Sequence, residues 1–426
     1  MKKNRLLCGV LSWFILAVSL SPSAVLLAEE SGLSLFQAIE TAVQKNGELI
    51  SIRNEEGVYD AAKVRAGLLP NPSIEAEANT GALTGSQQER NITVVLSQEL
   101  LLAGKRRKRQ SVAEREMDMH RWRLADRERL LRYEVKTAFF DLLLAKERLV
   151  LADSYVTINR QLLEIAEARF AAGDIPELEL NLAKVELARS MVARVESSKF
   201  LFQQRLRLGS LMGRSIGDGE EVAGRLDRGI TMSATLSELK AFASANRPDL
   251  KALEVECARA DAGIALAHAE TVPNVTTGLL FKRERKANDL DGVSTIGVRI
   301  SVPIPVFDRN QAGILEARAK KAGSEGRLFA TSTMAEREVE AAFDNFRGVK
   351  TMLSIYSEEI MPRLEENLKL TREAYRLGEV GIQPVIHEQK KYFEVYDSYL
   401  IALHERQTAV ARLESVTASE LVGGDK

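Results

Sequence analysis

Cysteine is nearly absent from this chain. Of its 426 residues only Cys8 and Cys257 carry a thiol, and Cys8 falls in an N-terminal apolar stretch, so a processed chain has neither a disulfide nor a thiolate cluster. The 4 histidines are scattered, which argues against a structural zinc site. Charge of one sign is missing too: 59 Lys+Arg against 60 Asp+Glu leave a formal net charge of -1, so no overall basic field gathers nucleic acid. Aromatic residues make up 6%, and beyond the N-terminus no apolar run is long enough for a membrane helix. Proline is sparse, with none between Pro72 and Pro176 or between Pro176 and Pro248, which leaves room for long unbroken helices.

What remains is a helix-leaning composition, 45% hydrophobic and 28% charged. Lys2, Lys3 and Arg5 precede an apolar run from Leu6 to Leu20, then Ser21-Pro22-Ser23 and Ala28. That order reads as a secretory leader over residues 1–28, because the run falls short of the roughly 20 residues a spanning helix needs.

The rest of the chain looks written twice. Pro70-Asn71 returns as Pro273-Asn274, Ile92 to Ser97 as Ile296 to Ser301, and Ala168 to Gly173 as Glu373 to Gly378. The reading gives a first repeat over 29–213, a Gly-rich linker or irregular cap over 214–235, a second repeat over 236–417 and a tail over 418–426. In each repeat a short helical part precedes two alternating segments, over 73–100 and 275–302, and then a long helical hairpin reversing near 173 or 378.

From Lys105 to Ala172 apolar residues recur at heptad spacing: Leu131, Val135, Ala138, Leu142, Ala145, Leu149, Ala152, Val156, Leu163, Ala166 and Phe170. Val339, Ala342, Phe346, Val349, Leu353, Tyr356 and Ile360 repeat the pattern in the second half, where Pro362 predicts a kink or a lost hydrogen bond. A helix of that length reaches about 100 Å, far more than a globular core requires.

Period-two alternation marks strands. Ile74, Ile92, Val94 and Leu96 in the first half, and Val275, Leu279, Phe281, Ile296, Val298 and Ile300 in the second, line one apolar face against polar neighbours. The joining segments Thr80 to Arg90 and Lys282 to Val293 are polar, as hairpin loops are. Such hairpins fit small soluble sheets packed on helices, or an outer-membrane barrel shared by several chains, since four strands close around no lumen. The pattern alone leaves both open.

The order of helix, hairpin, long helix, Gly turn and return helix, done twice, resembles the TolC family of outer-membrane efflux proteins across essentially the whole mature chain. Pro303-Ile304-Pro305-Val306-Phe307-Asp308-Arg309-Asn310-Gln311 resembles the strand-to-helix motif of its heavy-metal, CzcC-like branch, and Leu102-Ala103-Gly104-Lys105-Arg106 the first-half counterpart. In that branch Gly usually follows the Gln directly; here Ala312 precedes Gly313. The resemblance implies a mainly α fold with a small β part: long coiled-coil-like hairpins plus four transmembrane β-strands per chain. A homotrimer would then form a 12-stranded β-barrel continuous with a periplasmic α-helical barrel. It further implies outer-membrane lipid around the barrel, a periplasmic adaptor of the membrane fusion type and an inner-membrane RND-type pump as partners.

Under that resemblance the turns at Gly173 and Gly378 form the periplasmic tip and adaptor contact, with Asp174, Glu177, Glu179, Tyr375, Glu379 and His387 around them. Glu179 and Tyr375 match gate-linking positions of the family. Val380 stands where a basic residue is usual, and Pro384 and His387 where acidic ones are. Threefold repetition makes each carboxylate a ring that favours cations, although a solvated loop explains the same charges. The basic run Lys105, Arg106, Arg107, Lys108 and Arg109 reads as a solvated helix start or as a contact with anionic headgroups at the membrane edge. His120, His268 and His404 read as structural. No nucleophile with a base, phosphate loop or nucleotide motif stands out, so energy must come from the partner pump, and the resemblance implies a passive duct that needs no cofactor. Heavy-metal cations are the favoured cargo. Drugs or other small molecules are the alternative within the same role, and a periplasmic coiled-coil adaptor without a pore is the alternative outside it.

Overall fold

The computed structural model describes residues 32–421 except 86–87, 218, 230–231 and 287–290, so the leader over 1–28 and the last residues of the tail lie outside the described residues. Each half opens on a capped helix. In α1 (Leu35–Lys45) the Ser34 hydroxyl accepts from the Gln37 amide while Gln37 accepts from the Ser34 amide; in α6 (Leu236–Asn246) Thr235 and Glu238 repeat the arrangement. The first half continues through α2 (Gly47–Asn54) and α3 (Glu56–Gly67), where the second has one helix, α7 (Pro248–Glu270), started by a proline whose missing N–H is harmless at that position.

The hairpins follow: β1 (Ser73–Thr80) with β2 (Arg90–Leu100), and β3 (Val275–Arg285) with β4 (Val293–Ser301). All four form one antiparallel sheet in the order β1-β2-β3-β4, so the two halves of the chain join between β2 and β3. Strand β3 runs through Lys282–Arg285, four residues into the expected loop.

The first rod is a single helix, α4 (Lys105–Ala171), returning as α5 (Glu177–Leu211). Leu131, Val135, Ala138, Leu142, Ala145, Ala152, Val156 and Ala166 of the heptad series are buried, whereas Phe170 is exposed at the tip. The second rod is interrupted. Helix α8 (Gln311–Ile355) passes into a π-helical turn, Tyr356–Ile360, before α9 (Met361–Arg376), and α10 (Ile382–Thr417) returns. The widened turn ends two residues before Pro362, which has no N–H to give to the helix ladder, so the rod absorbs the proline locally by changing its hydrogen-bond register.

Packing concentrates where the rods cross the short helices: Leu49 of α2, Leu131, Phe139 and Leu142 of α4, Leu208 of α5 and Leu403 of α10 share one cluster. The described residues of segment 214–235 are irregular in backbone but anchored, with Ile216, Val222 and Leu226 buried in the same cluster and Gly224 close against Phe139 and Leu143.

Candidate functional site: the duct wall and its tip

Register decides the faces of the sheet. Ile74 lies opposite Leu96, Leu96 opposite Leu279 and Leu279 opposite Val298; the next row is Ala76, Val94, Phe281 and Ile296. Directly opposed residues share a face, so every residue of the expected apolar set falls on one side. Ile74, Ile92, Leu96, Leu279, Phe281, Ile296, Val298 and Ile300 are exposed there, while Val94 and Val275 are half-buried. The other face carries Ser73, Glu75, Glu77, Thr93, Ser97, Thr276, Lys282, Glu284 and Arg299. Glu75 of β1 reaches Arg299 of β4 at 3.7 Å, an ion pair between the two outermost strands that requires the polar face to be concave. One side is thus a hydrocarbon-compatible band and the other a wettable groove.

Below the sheet, the basic run divides. Arg106, Arg107 and Arg109 are exposed and Lys108 half-buried, but Lys105 is buried and unavailable to solvent or headgroups, which corrects the expectation for that residue. Its Nζ donates to the Val272 carbonyl at 2.5 Å and to Asn274 Oδ1 at 2.6 Å, while Asn274 Nδ2 donates to Glu99 Oε1 at 2.6 Å. Burial pushes the Lys105 ammonium down, against the opposing pull of Glu270. This network ties the start of α4 in the first half to the strand entry of the second. Arg109 lies 3.7 Å from Glu270 beside it.

At the far end the two turns are built alike. Gly173 and Gly378 both have φ +81, the left-handed conformation that L side chains rarely adopt. The Asp174 amide donates to the Arg169 carbonyl and the Glu379 amide to the Ala374 carbonyl, each at 2.9 Å, so both helices end in the same six-residue closure. Asp174, Glu177, Glu379 and His387 are exposed, and Glu179 is half-buried. A small core of Leu162, Ala166, Ile175, Leu180, Ile382 and Val385 holds the turns together around Tyr375, which is 0% exposed.

Tyr375 is bound through its backbone and its ring, not its hydroxyl. Arg169 Nη1 donates to the Tyr375 carbonyl at 3.1 Å and the guanidinium lies 5.0 Å from the ring centroid, whereas Tyr375 Oη has no hydrogen-bond partner. Burial pushes the phenol up, the Glu179 carboxylate adds to the effect and Arg169 opposes it. One cross-link between the rods therefore runs through Arg169, above the Arg372–Gln161 bond at 2.7 Å and the Lys390–Glu186 ion pair at 2.8 Å; the sequence reading did not single it out, because a lone Arg in a helix's last turn resembles any C-terminal dipole partner.

The remaining histidines sit apart from the tip. His120 stacks on Tyr59 at 4.4 Å, and His404 Nε2 lies 2.7 Å from Asp141 Oδ1. Among the described residues no three His, Cys, Asp or Glu side chains gather to hold a metal ion, and no helix is long and apolar enough to cross a membrane.

Known proteins share this arrangement. A family model described as "Outer membrane efflux protein" matches residues 50–214 and 242–419, one stretch in each half. The chain is 25% identical to the cobalt-zinc-cadmium resistance protein CzcC of Cupriavidus metallidurans over 384 residues, 90% of either protein. It is 25% identical to the nickel-cobalt-cadmium resistance protein NccC of Alcaligenes xylosoxydans xylosoxydans over 63% of this chain and 60% of that one. The solved structure of CusC superposes with a TM-score of 0.72 at 18% identity, covering 90% of this chain and 92% of that one, and so shares the fold. A four-stranded sheet with an apolar band, two helical rods and these matches lead to one conclusion: the chain belongs to the outer membrane efflux protein family and is an outer-membrane efflux channel reaching into the periplasm.

Proposed function

We propose that three copies of this chain form a passive duct for heavy-metal cations, loaded by an RND-type inner-membrane pump through a periplasmic adaptor. The observation that carries the reading is the unfinished sheet: β1 and β4 each pair on one side only, so their outer edges need neighbours. Three sheets of four strands supply a closed, even-numbered barrel. An unpartnered stripe on α5 points the same way. Val185, Val192, Val195, Phe202 and Leu206 are exposed at steps of 7, 3, 7 and 4, the spacing of a helix packed against another.

The exposed strand residues Ile74, Leu279, Ile296 and Val298 would face lipid in that barrel, with the charged concave face lining water. At the tip, threefold symmetry turns Asp174, Glu177, Glu179 and Glu379 into stacked carboxylate rings, which lower the potential a cation meets at a constriction. The cation cargo rests on those rings and on the similarity to CzcC and NccC. Energy has to come from the partner pump.

The test is a gene deletion scored on two panels. Cells lacking the protein should lose tolerance to zinc, cobalt, cadmium, nickel or copper while keeping tolerance to drugs; the reverse profile transfers the duct to small organic cargo. Planar-bilayer recording of the purified protein should show cation preference that falls in Glu179→Gln and Glu379→Gln. Recovery as a soluble periplasmic monomer would support an adaptor without a pore and reject the duct.

A further inference from the structure

We propose that the outward face of the barrel carries, at its extracellular rim, a binding site for the phosphate groups of an outer-leaflet glycolipid of the lipid A type, built from Arg90, Arg283 and Arg285. The inference rests on the barrel reading and adds a lipid partner to it.

The register that sorts the apolar band also sorts these arginines. Above the row of Ala76, Val94, Phe281 and Ile296 comes the row of Ala78, Ile92, Arg283 and Ser294, and above that Thr80, Arg90 and Arg285. All three arginines share the face of Ile92, Phe281 and Ile296, and all three are exposed. They stand at the loop end of the strands, opposite to the rods, where the apolar band gives way to polar residues. Strands β2 and β3 are the inner pair of the sheet, so the cluster lies away from the edges where neighbouring copies would join.

Two physical features separate this cluster from an ordinary solvated rim. Arg90 is directly opposite Arg285, and like charges at opposed positions, roughly 5 Å apart at Cβ, destabilise a sheet unless an anion lies between them. Arg283 stands two residues along the same strand, roughly 7 Å away, so three guanidinium groups converge on one patch. Among the described residues none of the three meets a carboxylate, whereas the inward-facing Lys282 and Glu284 pair at 3.0 Å. The water side of the sheet mixes carboxylates with cations, whereas these arginines are the charged residues of its lipid side.

The usual interfacial anchors are missing as well. Phe281 is the one aromatic residue among the described strand residues, so no girdle of Tyr or Trp fixes this rim at the headgroup level. Guanidinium forks match phosphate oxygens bidentately, and a ligand with phosphates at the head and acyl chains below would meet the arginines and the apolar band together. Free phosphate satisfies only the first contact.

The experiment uses the full-length trimer in detergent and native mass spectrometry with three probes: bisphosphorylated lipid A, the same lipid with its phosphates removed, and inorganic phosphate alone. The variant is Arg90→Gln with Arg283→Gln and Arg285→Gln, and the control is Arg160→Gln with Lys184→Gln, two exposed cations on the rods far from the sheet. Wild type and control should bind the bisphosphorylated lipid about a hundredfold more tightly than the triple variant, with the gap narrowing as salt rises. The dephosphorylated lipid should bind all three proteins alike. Equal affinity of wild type and triple variant, or equal binding of both lipids by wild type, overturns the proposal; displacement of the lipid by inorganic phosphate would reduce the site to a simple anion patch and overturn the lipid assignment. If the triple variant loses its trimer, the single changes Arg90→Gln and Arg283→Gln should each weaken binding about fivefold. Bilayer conductance measured on the same samples separates the two levels: a conducting triple variant with unchanged lipid affinity refutes the lipid site alone, while a wild type without conductance removes the barrel itself.

Discussion

Replacing Arg169 by Gln tests whether the two rods are latched at the tip. The side chain leaves the last turn of α4 and engages the last turn of α9 twice, through the Tyr375 carbonyl at 3.1 Å and the Tyr375 ring at 5.0 Å. A hydrogen bond from a charged donor contributes about 1.5–3 kcal/mol and a cation over an aromatic face about 0.5–2 kcal/mol. One side chain makes both contacts and remains half-buried, so the two are not additive, and about 2 kcal/mol is a reasonable net value. That corresponds to roughly a 30-fold shift in the equilibrium between latched and separated turns. Amide hydrogen exchange in the last turn of α9 should accelerate by that factor, and single-channel conductance should rise. A double-mutant cycle with Tyr375→Leu should return a coupling energy of about 1–2 kcal/mol. A coupling within about 0.3 kcal/mol of zero, together with unchanged exchange, would refute the latch. Tyr375→Phe is the informative contrast. It keeps ring and carbonyl but removes a buried hydroxyl with no partner, so stability should hold or rise by about 1 kcal/mol. The same hydroxyl sets a pH signature. Its folded value is raised, so its contribution is full below the ordinary tyrosine value near 10 and is lost as the pH rises beyond it, a loss Tyr375→Phe should abolish.

Three further perturbations follow from the geometry. Gly213→Ala should destabilise the protein by more than about 2 kcal/mol in thermal melts, because φ is +64 and an added Cβ would lie 2.2 Å from the Lys45 carbonyl; Gly173→Ala, with φ +81 but open space, should cost only about 1 kcal/mol. Ile296→Arg should cost about 2–4 kcal/mol in barrel stability, read as loss of the heat-modifiable trimer band, whereas Ser301→Arg on the concave face should be tolerated. Lys105→Met preserves the stem but strands the Val272 and Asn274 oxygens, so urea unfolding should report a loss of about 2–4 kcal/mol; a loss near zero would mean the junction network is dispensable.

Much of this architecture was legible before any coordinates because its signals are periodic and local. The heptad series over α4 predicts a rod because residues spaced by three and four must share a helix face, and Leu131, Val135 and Leu142 do share the interior. Glycine at 173 and 378 predicts reversals because a left-handed residue closes a helix cheaply. The capping boxes at Ser34 and Thr235 are equally local signals, with Gln37 and Glu238 three residues on. Pro362 announced a disturbance without saying which kind; the structure resolves it as a π-helical turn from Tyr356 to Ile360. Lys105 misled because one buried lysine looks, in sequence, like the first member of the exposed run that follows it.

The sequence by itself determined the duplication, the rods, the alternating strands and the turn positions, since each depends on spacing within one element. Tertiary structure alone decided that β2 pairs with β3, that Lys105 turns inward, that Arg169 engages Tyr375 through its carbonyl and ring, and that three arginines share the face of the apolar band. Those outcomes depend on contacts between residues far apart in the chain, about 170 to 206 positions here, and no local period encodes which distant partner a side chain will meet.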